Sequence, residues 1–137
     1  MESSGTHTLK LKTVDQIGIV VHDIDKVIET WSSMFGIGPW TIGYIDRIND
    51  PVYPQRVKLA FAYLGPVEIE LLQPIEGDTP PARHLASCGE SIHHLAFQVD
   101  DLDKEVSNLV AQGGQASRQL PTQVCPAGKW LARWYCL

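Results

Sequence analysis

No stretch of this 137-residue chain holds the roughly eighteen consecutive apolar residues that a membrane-crossing helix needs, so no helical membrane span is expected. Positive charge is scarce as well. Eleven Lys and Arg face sixteen Asp and Glu, and the net charge of −5 argues against nucleic acid or an anionic membrane as a partner. Cysteine is rare. Cys88, Cys125 and Cys136 have neither a metal-type nor a redox-type spacing. An odd count with no apolar leader reads as reduced thiols in a cytoplasmic protein. Residues 1–13 lack the apolar core of a signal peptide and read as a flexible N-terminal tail. The remaining residues, 14–137, have the size of one compact domain.

What the chain does have is a repeat, the feature that decides a fold most directly. Gln16-Ile-Gly-Ile-Val-Val-His-Asp-Ile-Asp-Lys26 recurs 78 residues later as His94-Leu-Ala-Phe-Gln-Val-Asp-Asp-Leu-Asp-Lys104, and Gly36 recurs as Gly114. Each copy opens with a β-branched or apolar run that reads as a strand. In the first copy Asp23 can cap a helix whose apolar face is Ile24, Val27, Ile28, Trp31 and Phe35, and Gly36 stops it. Strands follow at 40–45, 56–64 and 66–73, the last two joined by a tight turn at Gly65-Pro66. The pattern is βαβββ for module one, 14–74. Residues 75–91, rich in Pro and Gly, read as a linker. Module two, 92–137, repeats the strand and the helix capped by Asp101. It then offers strands at 115–120 and 129–136, and it lacks a counterpart of the run Val67–Leu72. The expected fold is α+β: two paired βαβββ modules forming a curved mixed sheet around a cleft, the second module without its last strand.

Alternation of side chains along a strand sorts the polar residues by face. Ile17, Ile19 and Val21 belong to the helix-packing face of the first strand, as do Val67, Ile69 and Leu71 of the fourth and Leu95, Phe97 and Val99 of the fifth. Gln16, Glu70 and His94 therefore project from the opposite face. Each has an ordinary alternative: a hydrogen-bonding amide, a solvated carboxylate, a structural imidazole. The repeat sets Gln16 and His94 at equivalent positions, which favours a shared site. An amide oxygen, a carboxylate and an imidazole are an incomplete ligand set for Zn²⁺, Ni²⁺, Mn²⁺ or Fe²⁺. His93, by parity, goes with Leu95 and Phe97 and reads as structural. His22 reads as a surface residue, and His7 lies in the tail. Trp40, Tyr44, Phe61 and Tyr63 are candidates for lining the cleft and binding substrate. Arg56, Lys58, Arg83 and Lys129 read as solvated edge residues.

At Asp15-Gln-Ile-Gly-Ile-Val-Val21, Phe35-Gly-Ile-Gly-Pro-Trp40, Val67-Glu-Ile-Glu-Leu-Leu-Gln-Pro74 and Ile92-His-His-Leu-Ala-Phe-Gln-Val-Asp-Asp101 the chain resembles the vicinal-oxygen-chelate superfamily. That superfamily includes glyoxalase I, methylmalonyl-CoA epimerase, extradiol dioxygenases, and fosfomycin and bleomycin resistance proteins. The resemblance implies one divalent ion (Zn, Ni, Co, Mn or Fe) held by Gln16, Glu70 and His94, with Glu70 also as the catalytic base. The family's fourth ligand, a Glu on the eighth strand, would fall beyond Leu137. Gln16 in place of a first-strand His counts against the dioxygenases and the fosfomycin enzymes. The order Gln, Glu, His is similar to one form of glyoxalase I, whereas the flanking motifs are more similar to methylmalonyl-CoA epimerase. Three functions are thereby implied. The first is a metal-dependent epimerase or isomerase that enolises a small α-carbonyl or acyl-thioester substrate. The second is a glyoxalase I-type lactoylglutathione lyase. The third is a metal-free small-molecule binding or resistance protein. The expected partners are a small-molecule substrate and a second copy of the chain in a homodimer.

Overall fold

The computed structural model describes residues 8–116 and 130–134. Six strands and three helices follow in the order β1 (Gln16–Val20), α1 (Ile24–Phe35), β2 (Thr41–Arg47), β3 (Gln55–Leu64), β4 (Val67–Glu76), α2 (Pro80–Cys88), β5 (Ser91–Gln98), α3 (Leu102–Ala111) and β6 (Trp130–Trp134). They build one open, curved, mixed sheet in the order β2-β3-β4-β1-β5-β6. The two copies meet where β1 and β5 pair antiparallel, as a pseudo-twofold duplication requires. The expected second strand of module two, at 115–120, lies almost wholly outside the described residues. The strand expected at 129–136 appears as β6 and pairs antiparallel with β5. In module one the corresponding neighbour of β1 is the parallel β4.

Helix α1 forms where the sequence signals it. Asp23 accepts the Lys26 N–H at 3.2 Å, and Gly36 ends the helix in the left-handed region at φ 65°, a conformation that a side chain would strain. Its inner face and the even-numbered side of β3 close the larger core around Val21, Ile24, Ala60, Ile69 and Leu71, with Ile17, Ile19, Trp31 and Val67 packed on it. Phe35, counted with that face from its spacing, is instead 63 % exposed at the helix end.

Two expectations change. The stretch read as a linker, 75–91, contains α2. Thr79 caps it by accepting the Ala82 N–H at 3.2 Å, and Pro80 and Pro81 sit in the first turn, where an N–H has no helical partner to lose. Helix α2 lies on the face opposite α1. There Leu85 packs against a second core of Val20, Val57, Leu59 and Leu72. The face carrying Gln16, Glu70 and His94 is thus capped at one end by a helix that the sequence reading did not supply. Finally, Cys88 at the end of α2 is disulfide-bonded, not a free thiol, and the other two cysteines lie outside the described residues. Pairing of cysteines depends on tertiary contacts, and spacing along the sequence does not carry those.

Candidate functional site

Strands β1, β4 and β5 lie side by side, and their register sets the site. Gln16 faces Glu68 across the β1–β4 ladder and Ala96 across the β1–β5 ladder, while Gly18 faces Glu70 and His94. Gln16 and His94 are 6 % and 7 % exposed. The three residues singled out from sequence converge on one atom. His94 Nε2 lies 2.9 Å from Gln16 Oε1 and 3.1 Å from Glu70 Oε2.

The ring of His94 has room because its neighbour is a glycine. A Cβ on Gly18 would fall 2.2 Å from Cε1 and 2.6 Å from Nε2 of that ring. The imidazole therefore lies flat over a strand position that tolerates no side chain.

His93 departs from the parity expectation. Gly18 pairs with His94 and Ile19 pairs with Ile92, so β5 carries one extra residue at His93, a β-bulge. A bulge resets the alternation and turns two consecutive side chains toward one face. Both histidines are consequently buried. Their Nδ1 atoms are 3.0 Å apart, and the His93 ring meets His84 of α2 edge-on with centroids 5.0 Å apart. Burial, and then the neighbouring imidazoles of His94 and His84, lower the pKa of His93 from 6.5 to about 3, which keeps it neutral near pH 7. His84 in turn lies 2.9 Å from Ser91 Oγ through Nε2. A file of imidazoles runs from α2 into the site and fixes the plane of the His94 ring. Sequence reasoning missed this file. The signal was present in the doublet His93-His94 within a strand, which strict alternation cannot bury on one face.

Glu68 was also missed. The Gln16 amide donates from Nε2 to Glu68 Oε1 at 2.8 Å. The alternation Val67-Glu68-Ile69-Glu70 placed both carboxylates on one face, but nothing in the sequence assigned Glu68 a partner.

The four aromatic candidates divide. Phe61 pairs with Glu70 and Tyr63 with Glu68, on the face of the site. Trp40 packs on the α1 side, its ring centroid 6.3 Å from that of Trp31, with Nε1 donating to the Ile37 carbonyl at 3.0 Å. Tyr44 pairs with Lys58, whose ammonium reaches Asp25 of α1 at 2.8 Å, so Tyr44 also lies on the α1 side. The basic residues Arg56, Lys58 and Arg83 form ion pairs with Asp46 and Glu76, with Asp25, and with Asp78.

The donor set fits a divalent ion. The Nε2–Oε1 and Nε2–Oε2 separations of 2.9 and 3.1 Å are hydrogen-bond distances, and they bring the three side chains close enough that one ion could be held among them. Imidazole nitrogen, carboxylate oxygen and amide oxygen together suit the borderline and harder first-row ions. Among the described residues no group of three or more His, Cys, Asp and Glu side chains is placed to hold a metal ion, so a three-donor set here would need the Gln16 amide oxygen as well.

Residues 15–126 match the family model described as the glyoxalase/bleomycin resistance protein/dioxygenase superfamily. The chain belongs to this superfamily. The uncharacterized protein YqjC of Bacillus subtilis (strain 168) is 27 % identical over 113 residues, covering 82 % of this chain and 76 % of that protein. Among solved structures, the methylmalonyl-CoA epimerase of Mycobacterium tuberculosis is 26 % identical with a TM-score of 0.62, over 79 % of this chain and 71 % of that one. The Streptomyces coelicolor methylmalonyl-CoA epimerase in complex with 2-nitronate-propionyl-CoA has a TM-score of 0.69 at 24 % identity, over 85 % and 80 %, a likeness of fold. No helix among the described residues of this superfamily member is long and apolar enough to cross a membrane.

Proposed function

We propose that the protein is a metal-dependent epimerase or isomerase that enolises a small α-carbonyl or acyl-thioester substrate. The observation that carries this reading is the meeting of Gln16 Oε1 and Glu70 Oε2 at His94 Nε2, beside Phe61, on the open face of an epimerase-like sheet. Members of the superfamily generally bind a divalent metal. In this chain Gln16, Glu70 and His94 would hold the ion, and when bound it supplies positive charge beside the substrate carbonyl, where enolisation builds negative charge.

The protein's own groups do the rest. Glu70 accepts the α-proton on a carboxylate oxygen while the C–H electron pair moves into the carbonyl group. A proton from water delivered to the opposite face of the same carbon, with Glu70 releasing its own proton to solvent, gives the epimer, and return of the Glu70 proton to the neighbouring carbon of an α-hydroxycarbonyl gives the isomer. Gln16 has no proton to exchange near neutral pH and acts only as a donor oxygen. His93 holds the His94 ring in plane, and Phe61 and Tyr63 form the apolar wall against which the acyl group lies. The order Gln, Glu, His favours a second reading, a glyoxalase I-type lyase acting on a hemithioacetal, which begins with the same proton abstraction.

The test is α-proton exchange in deuterated water, followed by proton NMR, with an acyl-CoA thioester and with a hemithioacetal. Exchange on the thioester that falls about 100-fold or more in Glu70→Gln supports the epimerase reading. Exchange confined to the hemithioacetal moves the assignment to the lyase. No exchange on either substrate, together with no ion bound, leaves a module that only sequesters its ligand. The reading also includes a homodimer in which the second chain covers a sheet edge, since β2 and β6 are the edge strands among the described residues. Light scattering that shows only monomer at micromolar concentration removes the dimer.

A further inference from the structure

We infer that Glu68 is a positioning residue that decides which end of the Gln16 amide faces the site. The inference rests on the metal-site reading above and deepens it. A glutamine amide presents two chemically opposite ends: an oxygen that can ligate a cation or accept a proton, and an NH₂ that can do neither. The two ends are almost equal in size, so packing alone does not select between them. The surroundings of Gln16 do.

Gln16 has two cross-strand neighbours. On the β5 side it is Ala96, buried at 2 % exposure, whose methyl group offers no hydrogen bond. On the β4 side it is Glu68, whose carboxylate is an acceptor only and can bind nothing but the NH₂ end. The observed contact is that one: Gln16 Nε2 donates to Glu68 Oε1 at 2.8 Å. With Nε2 drawn to Glu68, Oε1 is directed to His94 Nε2 at 2.9 Å, next to Glu70. The ladder holds the pair in place. Gln16 and Glu68 are register partners on adjacent parallel strands, and the Glu68 N–H donates to the Asp15 carbonyl at 2.9 Å. Neither side chain can slide away without disturbing the backbone pairing. Because Gln16 is 94 % buried by the same ladders, a reversed amide would set its oxygen against the Glu68 carboxylate. A repulsive contact between two acceptors would replace a hydrogen bond.

Two carboxylates on one strand thus have different duties. Glu70 meets the imidazole at the reacting centre itself. Glu68, two residues away on the same face, touches the amide from behind and makes a neutral side chain serve as an oxygen donor. A first-strand Gln is a usable ligand here because a charged acceptor is built in beside it.

The experiment compares Glu68→Met and Glu68→Gln with the unsubstituted protein. Methionine keeps the length and removes the acceptor. Glutamine keeps one acceptor oxygen and serves as the conservative rescue. The first readout is Co²⁺ affinity of the metal-free protein, followed by visible absorption. Affinity is expected to fall about 10-fold or more in E68M and to recover most of that loss in E68Q, in line with other groups that orient metal ligands. The second readout needs no metal. In the unsubstituted protein the Gln16 side-chain amide protons should exchange with water at least about ten times more slowly than those of the exposed Gln98, because a buried hydrogen bond has to open first. Co²⁺ affinity in E68M within twofold of the unsubstituted protein overturns the inference, as does a Gln16 amide that exchanges as fast as that of Gln98. If E68M does not fold, the exchange measurement on the unsubstituted protein still decides. A protein that binds no Co²⁺ but protects the Gln16 amide refutes the metal site while supporting the orienting role of Glu68. The two failures are therefore distinguishable.

Discussion

Two cross-strand pairs at the centre of the sheet, one per sequence copy, occupy equivalent places and are built differently. Gln16 of the first copy lies opposite Ala96, and His94 of the second lies opposite Gly18. In the repeat Gln16 matches His94 and Gly18 matches Ala96, so these are the same two slots with the partners exchanged. The slim amide leaves room for a methyl group opposite it. The flat imidazole does not, and a Cβ on Gly18 would stand 2.2 Å from its Cε1 atom. The same difference extends one residue further. The second copy has a bulge at His93 that swings a further imidazole behind His94, whereas the first copy holds Gln16 from the side, through Glu68. Duplication supplied two similar strands. The size and the polarity of each donor then dictated a different neighbourhood.

Exchanging the small residues should break this comparison most sharply. Gly18→Ala forces the His94 ring to move. Folding stability in urea should fall by about 1–3 kcal/mol, and Co²⁺ affinity should fall at least about 10-fold as the imidazole leaves the donor set. Ala96→Gly, the mirror change, leaves Gln16 and Glu68 in contact. Its cost should be about 1 kcal/mol, from strand flexibility and one lost buried methyl group, with Co²⁺ affinity kept within about twofold. Equal loss of affinity in the two variants would mean that the halves of the site are not built as described.

A smaller effect sharpens the comparison at the helices, where the two copies should behave alike. Asp23 accepts the Lys26 N–H at 3.2 Å and Asp101 accepts the Lys104 N–H at 3.1 Å. Asp23→Ala and Asp101→Ala should each cost about 1 kcal/mol in urea denaturation and should leave Co²⁺ affinity alone. A loss well beyond that at one position but not at the other would show that one of the caps also supports tertiary packing.

The ordering of elements in module one was legible because its signals are local. A capping Asp, an apolar stripe at helical spacing, a stopping Gly and alternating strands all act within a few residues of one another. The face shared by Gln16, Glu70 and His94 was legible for the same reason, since alternation along a strand is a property of the backbone. Helix α2 was misread because prolines interrupt most helices and are harmless in a first turn, and the difference depends on where Thr79 places the cap. His93 was assigned to the wrong face because a bulge breaks alternation and is decided by the register between β1 and β5. Trp40 and Tyr44 were grouped with Phe61 and Tyr63 by residue type, although the β2–β3 register places Tyr44, and packing against Trp31 places Trp40, on the other side of the sheet.

The sequence by itself determined the duplicated strand-and-helix plan and the shared face of Gln16, Glu70 and His94 at its centre, because periodicity and repetition are written along the chain. Only the tertiary structure decided how those side chains present themselves: which end of the Gln16 amide turns inward, why Gly18 carries no side chain, and why two successive histidines share a face. Each of these depends on contacts between residues 52 to 78 apart in sequence, and the geometry of such contacts exists only once the ladders are formed.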